Sequence, residues 1–423
     1  QWIGYAFLLV TVALYAGIGI MCRTSDPVEY YVAGRRVPAI YNGMATAADW
    51  MSVASFIGVA GTLYLTGYNG LAYILGWTGG YVLVALFLAP YLRKFGRYTI
   101  PDFLGARFGG NWPRLLGVLC AVLCSFTYLV AQIYGVGIIT TRMTGISFEL
   151  GIFIALGGVL VCSFLGGMRA VTWTQVGQYI ILLIAYLVPV VWLAVKQTGE
   201  PVPQVAASSV LQQVSERERE LTHDQSELAV RALWKARADM MQIRVSGLPE
   251  TYETEQQKLR LQLLRARAND APMGEVRNLE RELAAYPKSV EGARMAWSKA
   301  RDDYAVRASA PQPHAVPFAS RTSESTNAVR NNFLAIVLCL MMGTAGLPHI
   351  LMRSFTTPSV DAARKSVFWS LFFILLLYLM APAMAILVKF EIYTDLVGTR
   401  FADLPSWVHA WSAVDRSLLT IMD

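Results

Sequence analysis

Two short stretches carry residue types that an apolar helix does not need. Residues 42–52 read Asn42-Gly43-Met44-Ala45-Thr46-Ala47-Ala48-Asp49-Trp50-Met51-Ser52, inside an otherwise greasy segment. Small side chains let the backbone unwind there and present carbonyl oxygens, and oxygen ligands suit hard cations such as sodium. An interrupted helix or an ionisable group is expensive in lipid. Asp49 therefore reads as part of an ion site, or else as a residue near an interface or paired to an arginine within a contact of small residues. The second stretch is Gly343-Thr344-Ala345-Gly346-Leu347-Pro348-His349. Two glycines and a proline within six residues break the intrahelical ladder. Alone this would be a kink. Together with the first stretch it matches the interrupted helices at corresponding positions in the two halves of transporters, where coupling ions and substrates bind.

Weaker signals surround these two. Gln132 and Trp77 could line a cavity, or serve as an interhelical hydrogen bond and a core aromatic. His349 could relay a proton, or be a structural histidine near the cytoplasmic end. The sequence has no P-loop, HExxH or GxSxG, so neither an ATP-driven pump nor a membrane protease is supported, and the chain reads as a non-enzyme. Cys22, Cys120, Cys124, Cys162 and Cys339 form no CxxC pair, which indicates neither a disulfide framework nor a zinc site. The sequence calls for no cofactor beyond a coupling ion.

The elements that must hold these residues are membrane helices. Of 423 residues 55% are apolar and only 15% charged, against about 25% charge in soluble domains. Residues 197–330 hold 19 of the 36 basic and 18 of the 29 acidic residues. The rest is therefore far more apolar than the mean hydropathy of +0.42 suggests. The net charge of +7 lies almost wholly on short loops, so no nucleic-acid partner is implied. A span needs roughly 20 apolar residues, and eight segments qualify: 2–22, 41–66, 71–92, 114–141, 147–166, 172–195, 330–352 and 366–390. Basic residues concentrate in alternate loops (23–40, 93–114 and 353–365, the last with Arg353, Arg364 and Lys365), which puts those loops in the cytoplasm. The N-terminus and the insertion 197–329 then lie outside, with 391–423 as an external loop. The chain opens at Gln1 on an apolar run with no signal peptide, which suggests a trimmed start. The insertion reads as coiled-coil-like helical hairpins, with Val214, Leu221 and Leu228 at heptad spacing. Breaks are expected at 247–249 and 269–274, and Pro/Ser-rich linkers at 201–209 and 311–326. Its charge is a solvated helix surface or a docking face for a small membrane or periplasmic partner.

The sequence resembles the sodium:solute symporter family, in its cation/acetate branch. The resemblance rests on Tyr31-Val32-Ala33-Gly34-Arg35-Arg36, on Gly43 to Gly58 ending Met51-Ser52-Val53-Ala54-Ser55-Phe56-Ile57-Gly58, and on Gly67-Tyr68-Asn69-Gly70. Further matches are residues 96–103, Gly166-Gly167-Met168-Arg169-Ala170 with Thr172-Trp173-Thr174-Gln175, and Leu347-Pro348-His349-Ile350-Leu351-Met352-Arg353. It implies an all-α leucine-transporter-like inverted-repeat fold. Residues 1–22 would be an extra N-terminal helix, 41–195 the first five-helix repeat and 330–390 the first two helices of the second. It also implies sodium as the coupling ion, held by the main-chain carbonyls of Ala48 and Met51 with Asp49 stabilising it. Substrate would lie near Ser52, Trp77, Thr344, Ala345 and Gly346. A half-helix N-terminus at the second break would favour a small carboxylate. The expected activity is symport of acetate or a related short monocarboxylate across the bacterial inner membrane.

Two departures from the family pattern stand out. An insertion of this size is unusual between the sixth and seventh segments. The chain also stops at Asp423, before the ninth helix whose Ser/Thr hydroxyls complete the family's sodium site, so it is expected to be an incomplete transporter. The alternative is the transporter-like membrane domain of a solute-sensing histidine kinase.

Overall fold

A computed structural model describes residues 2–52, 54–269, 273–320 and 325–414. Among them every regular element is helical, in keeping with apolar runs of roughly 20 residues. Five helical runs are long and apolar enough to cross a membrane: Val59–Phe95, Asn111–Thr141, Ser163–Thr198, Thr326–Ala345 and Val360–Leu396. A shorter apolar helix covers Tyr5–Met21. The chain is a multi-pass membrane protein.

Both sequence interruptions are real breaks. Helix Ala39–Trp50 stops at Met51 (φ −80°, ψ 64°), and the chain resumes as a wide π turn, Ala54–Gly58, leading into helix Val59–Thr66. Helix Thr326–Ala345 stops at Gly346, and a five-residue helix, Pro348–Met352, starts beyond it. Two expected segment boundaries are marked by single glycines. Gly67 (φ 54°, ψ −134°) ends helix Val59–Thr66, and Gly167 (φ 51°, ψ −139°) divides the long helix Phe148–Thr198 at the expected junction of the fifth and sixth segments. Positive φ costs glycine little and other residues more, and at Gly167 a Cβ would also lie 2.5 Å from the Tyr30 carbonyl oxygen.

The broken helices are packed closely by small residues. Helix Leu71–Leu83 lies against Thr326–Ala345 through Gly76 and Gly80. A Cβ at Gly80 would stand 2.6 Å from Thr344 Cβ and 2.7 Å from the Met341 carbonyl oxygen. A small-xxx-small face of this kind gives membrane helices the van der Waals contact that lipid cannot supply as a hydrophobic force. Helix Ala39–Trp50 packs on Val360–Tyr378 in the same manner, with Gly43 against Trp369.

The chain divides into two compact units. The first comprises residues up to Val214, His314–Phe318 and those from Thr326 onward; the second comprises Ser215–Pro313 and Ala319–Ser325. The second unit is helical, as expected, with helices Gln225–Ser246, Glu250–Ala268, Met273–Ala285 and Val290–Ala308. The break at 247–249 is present, while 270–272 of the second expected break lie outside the described residues. The heptad does not hold. Asp224 caps a new helix between Leu221 and Leu228, and Leu228 is 42% exposed, so the three residues share no seam. The main packing within this unit is between Gln225–Ser246 and Val290–Ala308. There Trp234 stacks on Tyr304 and is flanked by Arg237 and Arg307.

The expected linkers also differ. Residues 203–209 are already helical, in Pro203–His223. His314–Phe318 is a packed strap: the His314 carbonyl accepts the Tyr68 N–H at 2.9 Å, and Phe318 packs edge-on against Tyr68 and Phe333. The expected external loop starts as a π turn, Ile392–Leu396, and includes helix Ser406–Val414; residues 415–423 lie outside the described residues.

His314 is buried in this strap, and burial, reinforced by the charge of Lys389, pushes its imidazole down to about 4. An unfolded histidine titrates near 6.5. Between those values the unfolded chain holds the extra proton, so stability falls as pH falls. We expect a loss of about 2–3 kcal/mol between pH 7 and pH 4.5, absent in His314→Gln. Unfolding of the two purified proteins at both pH values checks this.

Candidate functional site

The first break satisfies its own backbone. The Trp50 carbonyl, left without a helical partner, accepts the Ser52 N–H at 2.9 Å and the Ser55 hydroxyl at 2.6 Å. Serine hydroxyls of this kind make interrupted helices tolerable in lipid. The Met51 N–H bonds to the carbonyls of both Ala47 and Ala48, so the Ala48 oxygen already accepts one hydrogen bond. At the second break the Gly346 and Leu347 N–H groups turn back to the Gly343 and Thr344 carbonyls at 3.1 and 3.2 Å. Pro348, which has no N–H to satisfy, opens the next helix.

The two breaks meet at a cavity of about 250 Å³. Asp49, Ser52, Trp77, Gln132 and Thr344 line it, bringing together five of the residues singled out in the sequence. Ala48 and Met51 pack beside the hydrophobic core around Trp50. Ala345 is buried in that core, and Gly346 forms the turn; neither is among the lining residues. Sequence reading missed Trp50, Ser55, Tyr128 and Tyr378, which also line the cavity. Trp77 stacks on Tyr378, and Tyr128 faces the His349 ring at 4.8 Å, so His349 forms part of the wall.

Asp49 has a partner that the sequence reading placed elsewhere. Arg353 Nε donates to Asp49 Oδ2 at 2.7 Å, with the two side chains 5% and 11% exposed. Arg353 was counted among the basic residues of a cytoplasmic loop; it is buried in the turn Arg353–Phe355, and its charge is spent on Asp49. The loop keeps Arg364 and Lys365 for the charge asymmetry. Gln175 Nε2 donates to Asp49 Oδ1, and Arg353 Nη1 donates to the Thr172 hydroxyl at 2.8 Å. Thr172 and Gln175 stand three apart on one helical face beyond the Gly167 kink. Their spacing was the available signal, but nothing in it named the partner. Asn42 completes the cluster: its Nδ2 donates to the Arg353 carbonyl at 3.2 Å and to Ser366 at 2.8 Å, while its Oδ1 accepts from Thr356 at 2.8 Å.

The helix starting at Pro348 is five residues long and begins with an imino acid. The dipole and backbone donors expected there for a carboxylate are therefore weak, and side-chain hydroxyls are the better donors. Among the described residues no cluster of three His, Cys, Asp or Glu could hold a metal ion.

Two interrupted helices joined by a buried ion pair beside a small cavity place the chain among polytopic helical proteins of the broken-helix type. The profile of the sodium:solute symporter family matches residues 30–236 and 296–400, and the chain belongs to that family. The all-helical, multi-pass character expected from the sequence goes with that membership. An uncharacterized symporter of Cupriavidus necator is 51% identical over 428 residues, which cover 100% of this chain and 63% of that protein. The chain thus spans less than two thirds of that relative's length. The uncharacterized symporter YwcA of Bacillus subtilis is 34% identical over 168 residues, 39% of this chain and 32% of its own. A solved Na+-coupled sialic acid symporter, captured substrate-bound and outward-open, is 18% identical, with a TM-score of 0.44 over 100% of this chain and 84% of that one.

Asn42 is 2% exposed, and its three hydrogen bonds tie the Arg353 carbonyl, Ser366 and Thr356 to helix Ala39–Trp50. Asn42→Ala would strand buried donors and acceptors at a cost of about 1–3 kcal/mol. We expect a lower unfolding temperature in detergent, while the exposed-surface control Lys365→Ala stays near wild type.

Proposed function

We propose that the protein of which this chain is part is a sodium-coupled symporter for acetate or a related short monocarboxylate in a bacterial inner membrane. The observation that carries this reading is the meeting of both helix breaks at one small cavity with Asp49 in its wall. Sodium would be a transported ion. The carbonyls of Ala48 and Met51 would hold it next to Asp49, hard oxygen ligands for a hard cation. The volume supports a solute smaller than the drug-sized ligands that fill cavities of about 300–1,000 Å³. A carboxylate would take hydrogen bonds from Ser52 and Thr344, with Gln132 facing it and Trp77 covering its apolar end. Ala345 and Gly346 would act through the shape of the turn that presents Thr344. The ion gradient would then shift the population between outward- and inward-open states. Loop charges support placing the insertion on the periplasmic side, where it would meet any small membrane or periplasmic partner.

The test is uptake of radiolabelled acetate into vesicles carrying the intact protein, with and without an inward sodium gradient. We expect gradient-dependent uptake that Asp49→Asn abolishes. Thr344→Ala, which removes one hydrogen bond of about 1 kcal/mol, should raise KM about fivefold with little change in maximal rate. Uptake indifferent to sodium, or none of any short acid by correctly inserted protein, would overturn the reading.

A further inference from the structure

We propose that Arg353 is the resident counter-ion of Asp49 and that an arriving sodium ion competes with it for the carboxylate, so that loading the ion loosens the tie between the two broken helices. This rests on the symporter reading above. The geometry is specific. Asp49 lines the cavity and lies in sequence between Ala48 and Met51, so a cation held by those carbonyls would have this carboxylate as its nearest acidic neighbour along the chain. One carboxylate oxygen is held by Arg353 at 2.7 Å and the other by Gln175. Arg353 is also anchored through Thr172, and its carbonyl through Asn42 of helix Ala39–Trp50. The guanidinium therefore joins the end of the second break to the start of the first.

Two cations sharing one buried carboxylate repel each other, and in a site of reduced dielectric that repulsion is large. Linkage makes the effect reciprocal: if sodium weakens the pair, the pair weakens sodium binding by the same factor. A wholly structural pair would behave differently. Removing Arg353 would then disorder the site and loosen sodium. In the competition scheme, removing its charge frees Asp49 and tightens sodium. Arg353 is in this sense a positioning residue for the ion, acting through Asp49.

The experiment titrates sodium against tryptophan fluorescence of the intact protein in proteoliposomes, Trp50 being adjacent to Asp49, and measures acetate uptake in parallel. Arg353→Gln should bind sodium about tenfold tighter or more, with maximal uptake reduced at least tenfold because the ion is released slowly. Arg353→Lys keeps the charge and should return sodium affinity to within about threefold of wild type. A folded Arg353→Gln with unchanged or weaker sodium affinity overturns the proposal. If that variant does not fold, hydrogen–deuterium exchange of the wild-type protein decides. Faster exchange across residues 353–357 in sodium than in N-methyl-glucamine is expected; unchanged or slower exchange overturns the proposal. A wild type whose fluorescence and uptake both ignore sodium sinks the symporter reading itself, which separates the two failures.

Discussion

An ionised carboxylate buried in a membrane helix must find a cation, and this requirement organises the centre of the molecule. Once Asp49 is placed at the end of helix Ala39–Trp50, Arg353 has to reach it, and the turn Arg353–Phe355 has to sit within salt-bridge distance of the first break. Removing one member of such a pair strands a charge and costs about 3–5 kcal/mol, whereas neutralising both is often tolerated. The remaining hydrogen-bonding capacity of the two groups recruits Gln175 and Thr172 from the helix beyond Gly167. Three elements far apart in sequence are thereby set relative to one another by one pair of charges.

Around that pair, close approach depends on missing side chains. Gly76 and Gly80 bring helix Leu71–Leu83 against Thr326–Ala345, and Gly43 brings Ala39–Trp50 against Val360–Tyr378. Lipid offers no hydrophobic drive for such contacts, so they rest on van der Waals contact and on polar groups such as Asn42. The result places Thr344 and Ser52, residues of two different breaks, on the walls of one cavity. The aromatic rings of Trp77, Tyr128 and Tyr378 line the rest of it.

The insertion shows how composition and packing part company. A Pro/Ser-rich stretch reads as a linker, yet His314–Phe318 is held by a backbone hydrogen bond to Tyr68 and by the rings of Tyr68 and Phe333. Phe318 adopts φ +55°, a conformation that a non-glycine residue keeps only where its surroundings demand it. Heptad spacing misled in the opposite sense, because Asp224 is a better helix cap than a seam residue: its carboxylate takes the N–H groups of Ser226 and Glu227.

The sequence by itself determined the class of the protein: a membrane-spanning helical chain with a polar insertion and two interrupted helices in which Asp49 and Thr344 stand out. These properties are local. Apolar length, glycine and proline positions and an ionisable residue in a greasy run each carry their physical cost wherever the chain folds. Partnership is not local. Whether Arg353 belonged to a loop or to Asp49, whether Gln132 faced a cavity or another helix, and whether Ala345 lined the site or filled the core all depended on which helices approach within a few ångströms. That is decided by side chains hundreds of residues apart, such as Asn42 and Ser366 or Asp49 and Arg353, and no spacing along the chain records it. Only the tertiary structure brought them together.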